Sequence, residues 1–170
     1  MTKLFIGDGL SEEYDEVVGN PNSIEVSVGM SDGQMVISDK NLFSRGYCRC
    51  DGVVLLGNKY VVLSHYFNVS HPSEEEETFV YPNIYLNEMK NRLKRVDNSD
   101  LVAVVLSGSD GYPNPRRSFH AIKATLEGLQ IPVVGEHYDR YGEQKDLVVI
   151  PKRKEVIMFE NRNGKFRKLS

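Results

Sequence analysis

The stretch "SRGYCRCDGVVLLGNKYVVLSHYF", residues 44–67, decides how the chain is read. Two apolar, strand-forming runs meet at Gly57-Asn58, the pattern of a β-hairpin closed by a short turn. The same stretch holds both cysteines, Cys48 and Cys50, and ends in Ser64-His65-Tyr66. With Gly57 and Asn58 as the loop, Leu56 faces Lys59 and Cys50 faces His65, while Cys48 lies one diagonal step away on the same face. Opposite Cβ atoms are about 5 Å apart and diagonal ones about 7 Å, so an imidazole reaches either sulfur.

Working outward, the pieces at 24–28 and 34–37 are split by Asn-Pro and Asp-Gly turn signals and read as short strands. "HPSEEEETFVYP", residues 71–82, reads as a solvated loop because its four adjacent glutamates repel one another. From Asn83 the apolar period becomes helical, with Leu86, Met89, Leu93 and Val96 on one face. A buried strand at 101–106 runs into a Ser-Gly-Ser loop. Asn114-Pro115 then caps a second helix, with Phe119, Ile122, Leu126 and Leu129 on its apolar face. Further strands follow at 132–135, 147–150 and 155–159. This order predicts an α+β fold of mixed, largely antiparallel β-sheet, with two main helices packed on one face.

A chain of 170 residues fits one domain over 1–170. Apolar residues make up 40% and charged residues 26%, ordinary globular usage. The net charge of −3 gives no global attraction to nucleic acid or an acidic membrane, and the basic tail "NRNGKFRKLS" reads as a solvated end. No run approaches the roughly 18 apolar residues of a membrane span. The opening "MTKLFIGDGLSEEYDEVV" lacks the pattern of an export signal, so the expectation is a cytoplasmic protein with reduced thiols.

Three readings of the cysteines and histidine stand open on residue types. In the first, a thiol loses its proton to His65 and attacks a carbonyl carbon. Gly46 would then bend the chain so that backbone amides face the developing oxyanion. In the second, Cys48, Cys50, His65 and His71 bind zinc, although one residue between cysteines is a poor knuckle. In the third, both cysteines are small buried hydrophobes beside a satisfied histidine. His120, on the second helix beside the apolar Phe119, reads as a boundary residue rather than a ligand, and His137 as part of a solvated charged loop.

A family resemblance weighs on this choice. The run from "SVGMSDGQMVISDKNLFSRGYC" to "LSHY" resembles the CheD family of chemoreceptor glutamine deamidases. Those proteins have a "GIGEYAV"-like strand, a "LGLGSC" segment bearing the nucleophile and a strand ending in the base histidine. The family spaces cysteine and histidine 17 positions apart, as are Cys48 and His65, so the resemblance selects Cys48. "LVAVVLSGSD" is similar to the family's "KIAGGA" strand and loop. The segment from "PRRSFHAIKATLEGL" to "KDLVVIPKRKEVIMF" is similar to its ending, so the likeness runs from about residue 24 to 160.

The resemblance implies a cysteine-dependent amidohydrolase that converts protein glutamine side chains to glutamate. It implies no cofactor or metal, and as partner a protein substrate with a reactive glutamine rather than nucleic acid. The same fold with a Cys–His pair is that of the cytotoxic necrotizing factor type deamidase toxins. The family's third catalytic residue, a threonine six positions before the nucleophile, is Leu42 here, with Ser44 the nearest hydroxyl; a backbone carbonyl is the other group that could orient His65. The family's Gly-Ser before the cysteine is Gly46-Tyr47, and its Gly-Gly after the central strand is Ser107-Gly108. The site set is therefore Cys48 and His65, with Ser44, Gly46, Tyr47, Ser64 and Ser107 as supporting candidates. The alternatives are a non-catalytic binding module on the same scaffold, or a cysteine hydrolase of a different amide.

Overall fold

The computed structural model describes residues 7–8, 12–27, 34–47, 50–67, 82–108, 117–138, 144–160 and 167–168. Cys48, His71, the glutamate run and Asn114-Pro115 lie outside the described residues. The chain begins β1 (Gly7–Asp8), α1 (Glu12–Val18), β2 (Ile24–Glu25), β3 (Gln34–Ser38) and β4 (Leu42–Tyr47). The hairpin strands β5 (Cys50–Leu56) and β6 (Val61–Phe67) follow, then α2 (Pro82–Val96), β7 (Val102–Ser107) and α3 (Arg117–Gly128). The last strands are β8 (Val133–Tyr138), β9 (Lys145–Ile150), β10 (Glu155–Glu160) and β11 (Arg167–Lys168).

The strands form a five-stranded sheet, β3-β6-β5-β7-β8, a four-stranded sheet, β10-β9-β4-β2, and the small pair β1-β11. Pairing is antiparallel except for β7 with β8 and β2 with β4. The fold is thus α+β, with mixed sheets and three helices. Helices α2 and α3 cover one face of the larger sheet, burying Leu86, Met89, Leu93, Phe119, Ile122 and Leu126 against Val53, Leu55 and Val105. Each such side chain contributes roughly 2 kcal/mol by the area it removes from water.

Helices α2 and α3 lie on one face, as expected; the second packed layer is what the sequence did not show. The other face of the larger sheet is covered by the smaller sheet, with Val54, Leu56, Leu63 and Leu106 meeting Leu42, Leu147, Val149 and Met158. Every residue of β5 is buried, which is what a strand covered on both faces requires. The outer face of the smaller sheet carries Phe43, Val148, Ile157 and Phe159 under Val17 of α1. That helix was not expected from the sequence. Its sequence, EEYDEVV, opens on acids, which the helix dipole favours, and Tyr14, Val17 and Val18 form its apolar stripe. Val96 departs from the expected apolar stripe of α2 and is 52% exposed.

The hairpin forms, but its turn lies one residue later than the Gly57-Asn58 pattern suggests. Gly57 N–H donates to the Tyr60 carbonyl at 3.0 Å, so Asn58 and Lys59 make the loop. Leu56 pairs with Val61, and Gly52, not Cys50, pairs with His65. A two-residue change in pairing leaves every side chain on its original face, so Cys50 and His65 still share one. Gly57 is there to admit a neighbour: a Cβ on it would meet Asp97 Oδ2 at 2.5 Å. That oxygen accepts the Lys59 and Tyr60 amides at 2.7 and 3.0 Å, tying the turn to the end of α2. Among the described residues, no helix is long and apolar enough to cross a membrane.

Candidate active site

The site lies in the layer between the sheets, where β4 ends and β5 begins. Along β4, Ser44 pairs with Leu147 but Tyr47 pairs with Lys145, so one extra residue is accommodated as a bulge. Gly46 makes this possible at φ +83°, a backbone state that strains any residue with a Cβ. Its amide donates to Asp146 Oδ1 at 3.0 Å, and Tyr14 donates to the other oxygen at 2.7 Å. The Gly46 amide is therefore committed to Asp146. Its contribution is the bend that turns Tyr47 inward.

The Tyr47 ring stacks on the His65 imidazole, with centroids 3.8 Å apart and planes inclined by 16°. Its hydroxyl donates to the Ser64 carbonyl at 3.1 Å, which fixes the ring at both ends. Gly52, the residue paired with His65, leaves the room: a Cβ there would meet Tyr47 Cε1 at 2.8 Å and Leu147 Cδ1 at 3.1 Å. A glycine inside an apolar strand is a sequence signal of such close approach.

The tautomer of His65 follows from its partners. Ser44 Oγ contacts both the Val26 carbonyl and His65 Nδ1, the latter at 2.8 Å. A carbonyl can only accept, so the serine proton goes to Val26 and the oxygen accepts from Nδ1–H. Nε2 then carries a lone pair, and it has no hydrogen-bond partner among the described residues. With His65 only 1% exposed, burial pushes its pKa down to about 4, so the ring is neutral at pH 7. This ring can take up a proton at Nε2 while the Ser44–Val26 pair steadies Nδ1. Burial also raises the Tyr47 phenol well above its ordinary value, keeping it neutral.

The sequence-predicted residues divide. Ser44, Tyr47 and the Ser64 carbonyl converge on His65, and Gly46 shapes the strand that brings them there. The Ser64 hydroxyl points to the opposite face, where it accepts the Val53 amide and faces the Val53 carbonyl at 3.2 Å. Ser107 also lies on that face, donating to Asp51 Oδ1 at 2.5 Å, while Ser118 donates to Asp51 Oδ2. Cys50 is buried among Val54, Leu106 and Leu147 and forms no disulfide. Cys48 follows Tyr47 directly in the chain and lies outside the described residues.

No family model matches the chain, and no curated protein sequence matches it. Among solved structures, the C-terminal domain of CNFy from Yersinia pseudotuberculosis is similar. The TM-score is 0.40 at 9% identity, and the match covers 87% of this chain. This chain spans 62% of the length of that one.

Sequence reasoning did not reach the Val26 carbonyl, Gly52, Asp146 or Lys145. Val26 and Asp146 act through contacts 18 and 100 positions away in the chain, which no local pattern reports. His137, expected in a solvated loop, is half-buried in β8 in register with Leu106. His120 is exposed on α3 and lines a surface groove of about 710 Å³ with Lys123, Glu127 and Gln130. That groove shares no residue with the His65 layer.

Proposed function

We propose that this chain is a cysteine-dependent amidohydrolase that deamidates glutamine side chains in a protein, with Cys48 as nucleophile and His65 as base. The observation that carries the reading is the His65 ring: buried, neutral, held at Nδ1 by Ser44, with Nε2 unfilled among the described residues. A general base needs such a lone pair, and a group that holds the other nitrogen sets the tautomer that presents it. Chain connectivity adds support, because Cys48 follows the residue whose ring lies on the imidazole. The resemblance to the CheD family supplies the substrate class.

In this reading the Cys48 thiol proton passes to Nε2 and the sulfur attacks the carboxamide carbon. The C–N bond breaks as the imidazolium returns a proton to the leaving nitrogen, releasing ammonia and leaving a thioester. Water, deprotonated by His65, then cleaves the S–C bond, giving glutamate and the free thiol. The target gains one negative charge. Ser44 takes the orienting role of the family's threonine from two positions further along the same strand face, since side chains two apart project together.

The test is ammonia release with a one-dalton mass gain on a glutamine-rich protein, against a Cys48→Ala control. Undiminished release by that variant, with Cys50 intact, would overturn the assignment. A second reading, a non-catalytic binding module, is favoured by Leu42, which is wholly buried in the inter-sheet core at the family's threonine position. It predicts that Cys48 is alkylated near neutral pH no faster than a free thiol.

A further inference from the structure

Alternation along β9 sorts its residues between two layers. Leu147 and Val149 face the larger sheet, while Val148 and Ile150 join Phe43, Ile157 and Phe159 in the apolar layer under α1. Asp146 falls in the second set, yet it is a carboxylate and only 9% exposed. A charge buried in an apolar layer is costly unless hydrogen bonds satisfy it. Among the described residues, the Tyr14 hydroxyl donates to Oδ2 at 2.7 Å and the Gly46 amide to Oδ1 at 3.0 Å. Burial, and then the bond to Asp146, push the Tyr14 phenol well above its ordinary value, so it stays a donor.

The carboxylate sits where the strand ladder is broken. Between the pairs Ser44–Leu147 and Tyr47–Lys145, β4 has Arg45 and Gly46 against Asp146 alone on β9. A bulge of this kind leaves the extra residue unpaired in the ladder. Asp146 Oδ1 takes the Gly46 N–H in place of a strand carbonyl. A Cβ on Gly46 would meet nothing within 4 Å, so its φ of +83° is the reason for a glycine there. The resulting bend sets the Tyr47 ring on the His65 imidazole. The layer under α1 by itself favours an apolar residue at position 146; the bulge requires an acceptor.

We propose that Asp146 is a positioning residue for the His65 base. It acts through the Gly46 bulge and the Tyr47 ring, and α1 supplies the hydroxyl that fixes the carboxylate. The inference rests on the reading of His65 as the base.

The experiment compares Asp146→Leu and Asp146→Asn with wild type in the full chain. Leucine fills the apolar layer but accepts no hydrogen bond, whereas asparagine keeps one acceptor oxygen for Gly46. The readout that a merely structural role would not move is the ¹H NMR of the His65 ring, whose carbon-bound protons are shifted upfield by the stacked Tyr47. Asp146→Leu should lose that upfield shift. Its kcat for ammonia release should fall about 10- to 100-fold with KM unchanged, the scale of an ångström of misplacement. Asp146→Asn should keep the shift and most of the kcat. A folded Asp146→Leu protein with wild-type ring shifts overturns the proposal, whatever its stability.

If Asp146→Leu does not fold, the wild type decides, through the scalar coupling across the hydrogen bond from Gly46 ¹⁵N to Asp146 ¹³Cγ. A resolved coupling is expected, and its absence overturns the proposal. Undiminished ammonia release by His65→Gln would instead remove the reading of His65 as base. Unmoved ring shifts in Asp146→Leu, with His65→Gln inactive, would remove only the role of Asp146.

Discussion

The larger sheet carries a buried polar cluster on each face, and the two are built differently. On the helix side, Asp51 has a hydroxyl on each carboxylate oxygen, Ser107 from β7 and Ser118 from α3. Towards the smaller sheet, His65 has its Nδ1 held by Ser44 and its Nε2 without a partner among the described residues. The first hangs from β5 and β7 and the second from β6 and β4, with the thickness of the larger sheet between them. The first cluster joins a helix start to a sheet; the second keeps a lone pair ready for a proton.

The largest difference between them should appear in activity. His65→Gln should reduce ammonia release about 1000-fold, the scale of losing a positioned general base. Asp51→Asn should leave release per folded molecule within about twofold, by steady-state assay at pH 7. Equal losses in both variants would erase the distinction.

Acid should separate the clusters next. The folded-state pKa of His65, about 4, lies below the ordinary 6.5, so the unfolded chain binds more protons between those values. The stability His65 confers is complete above pH 6.5 and is lost as pH falls through 4. The contribution amounts to about 3 kcal/mol at most. Urea unfolding at pH 7.5 and pH 4.5 should show a fall in wild type that is smaller by this increment in His65→Gln. The same slope in both proteins would mean that the ring is not buried neutral.

Asp51→Ala should destabilise by about 2 kcal/mol, because it removes the carboxylate to which two buried hydroxyls donate. Denaturant midpoints check this against Ser44→Ala. The serine variant should lose only about 1 kcal/mol of stability and about tenfold in activity, since the imidazole keeps its stack on Tyr47.

Much of this architecture could be read from residue pattern because the elements concerned are periodic. Leu86, Met89 and Leu93 recur at helical spacing, and the 53–56 and 60–63 runs are apolar and β-branched. The turn position was misread because Gly57 looks like a turn glycine while its role is to admit Asp97, 40 positions away in the chain. The second sheet was hidden for a related reason. A strand buried on both faces shows an unbroken apolar run, which does not say what lies on either side.

Within the site, His65, Ser44 and Tyr47 were reachable from a short segment whose parts meet across the layer between the two sheets. The Val26 carbonyl carries no side-chain signature at all. Lys145 reads in sequence as an ordinary charged residue at a strand start, and only the register with Tyr47 turns it inward.

The central claim is that His65 presents a bare Nε2 because Ser44 holds its Nδ1 proton. Long-range ¹H–¹⁵N NMR of the ring at pH 7 tests it most directly. The account predicts a protonated Nδ1 and an unprotonated Nε2 in wild type, with the tautomer becoming mixed in Ser44→Ala. A wild-type ring protonated at Nε2, or charged at both nitrogens, would contradict it.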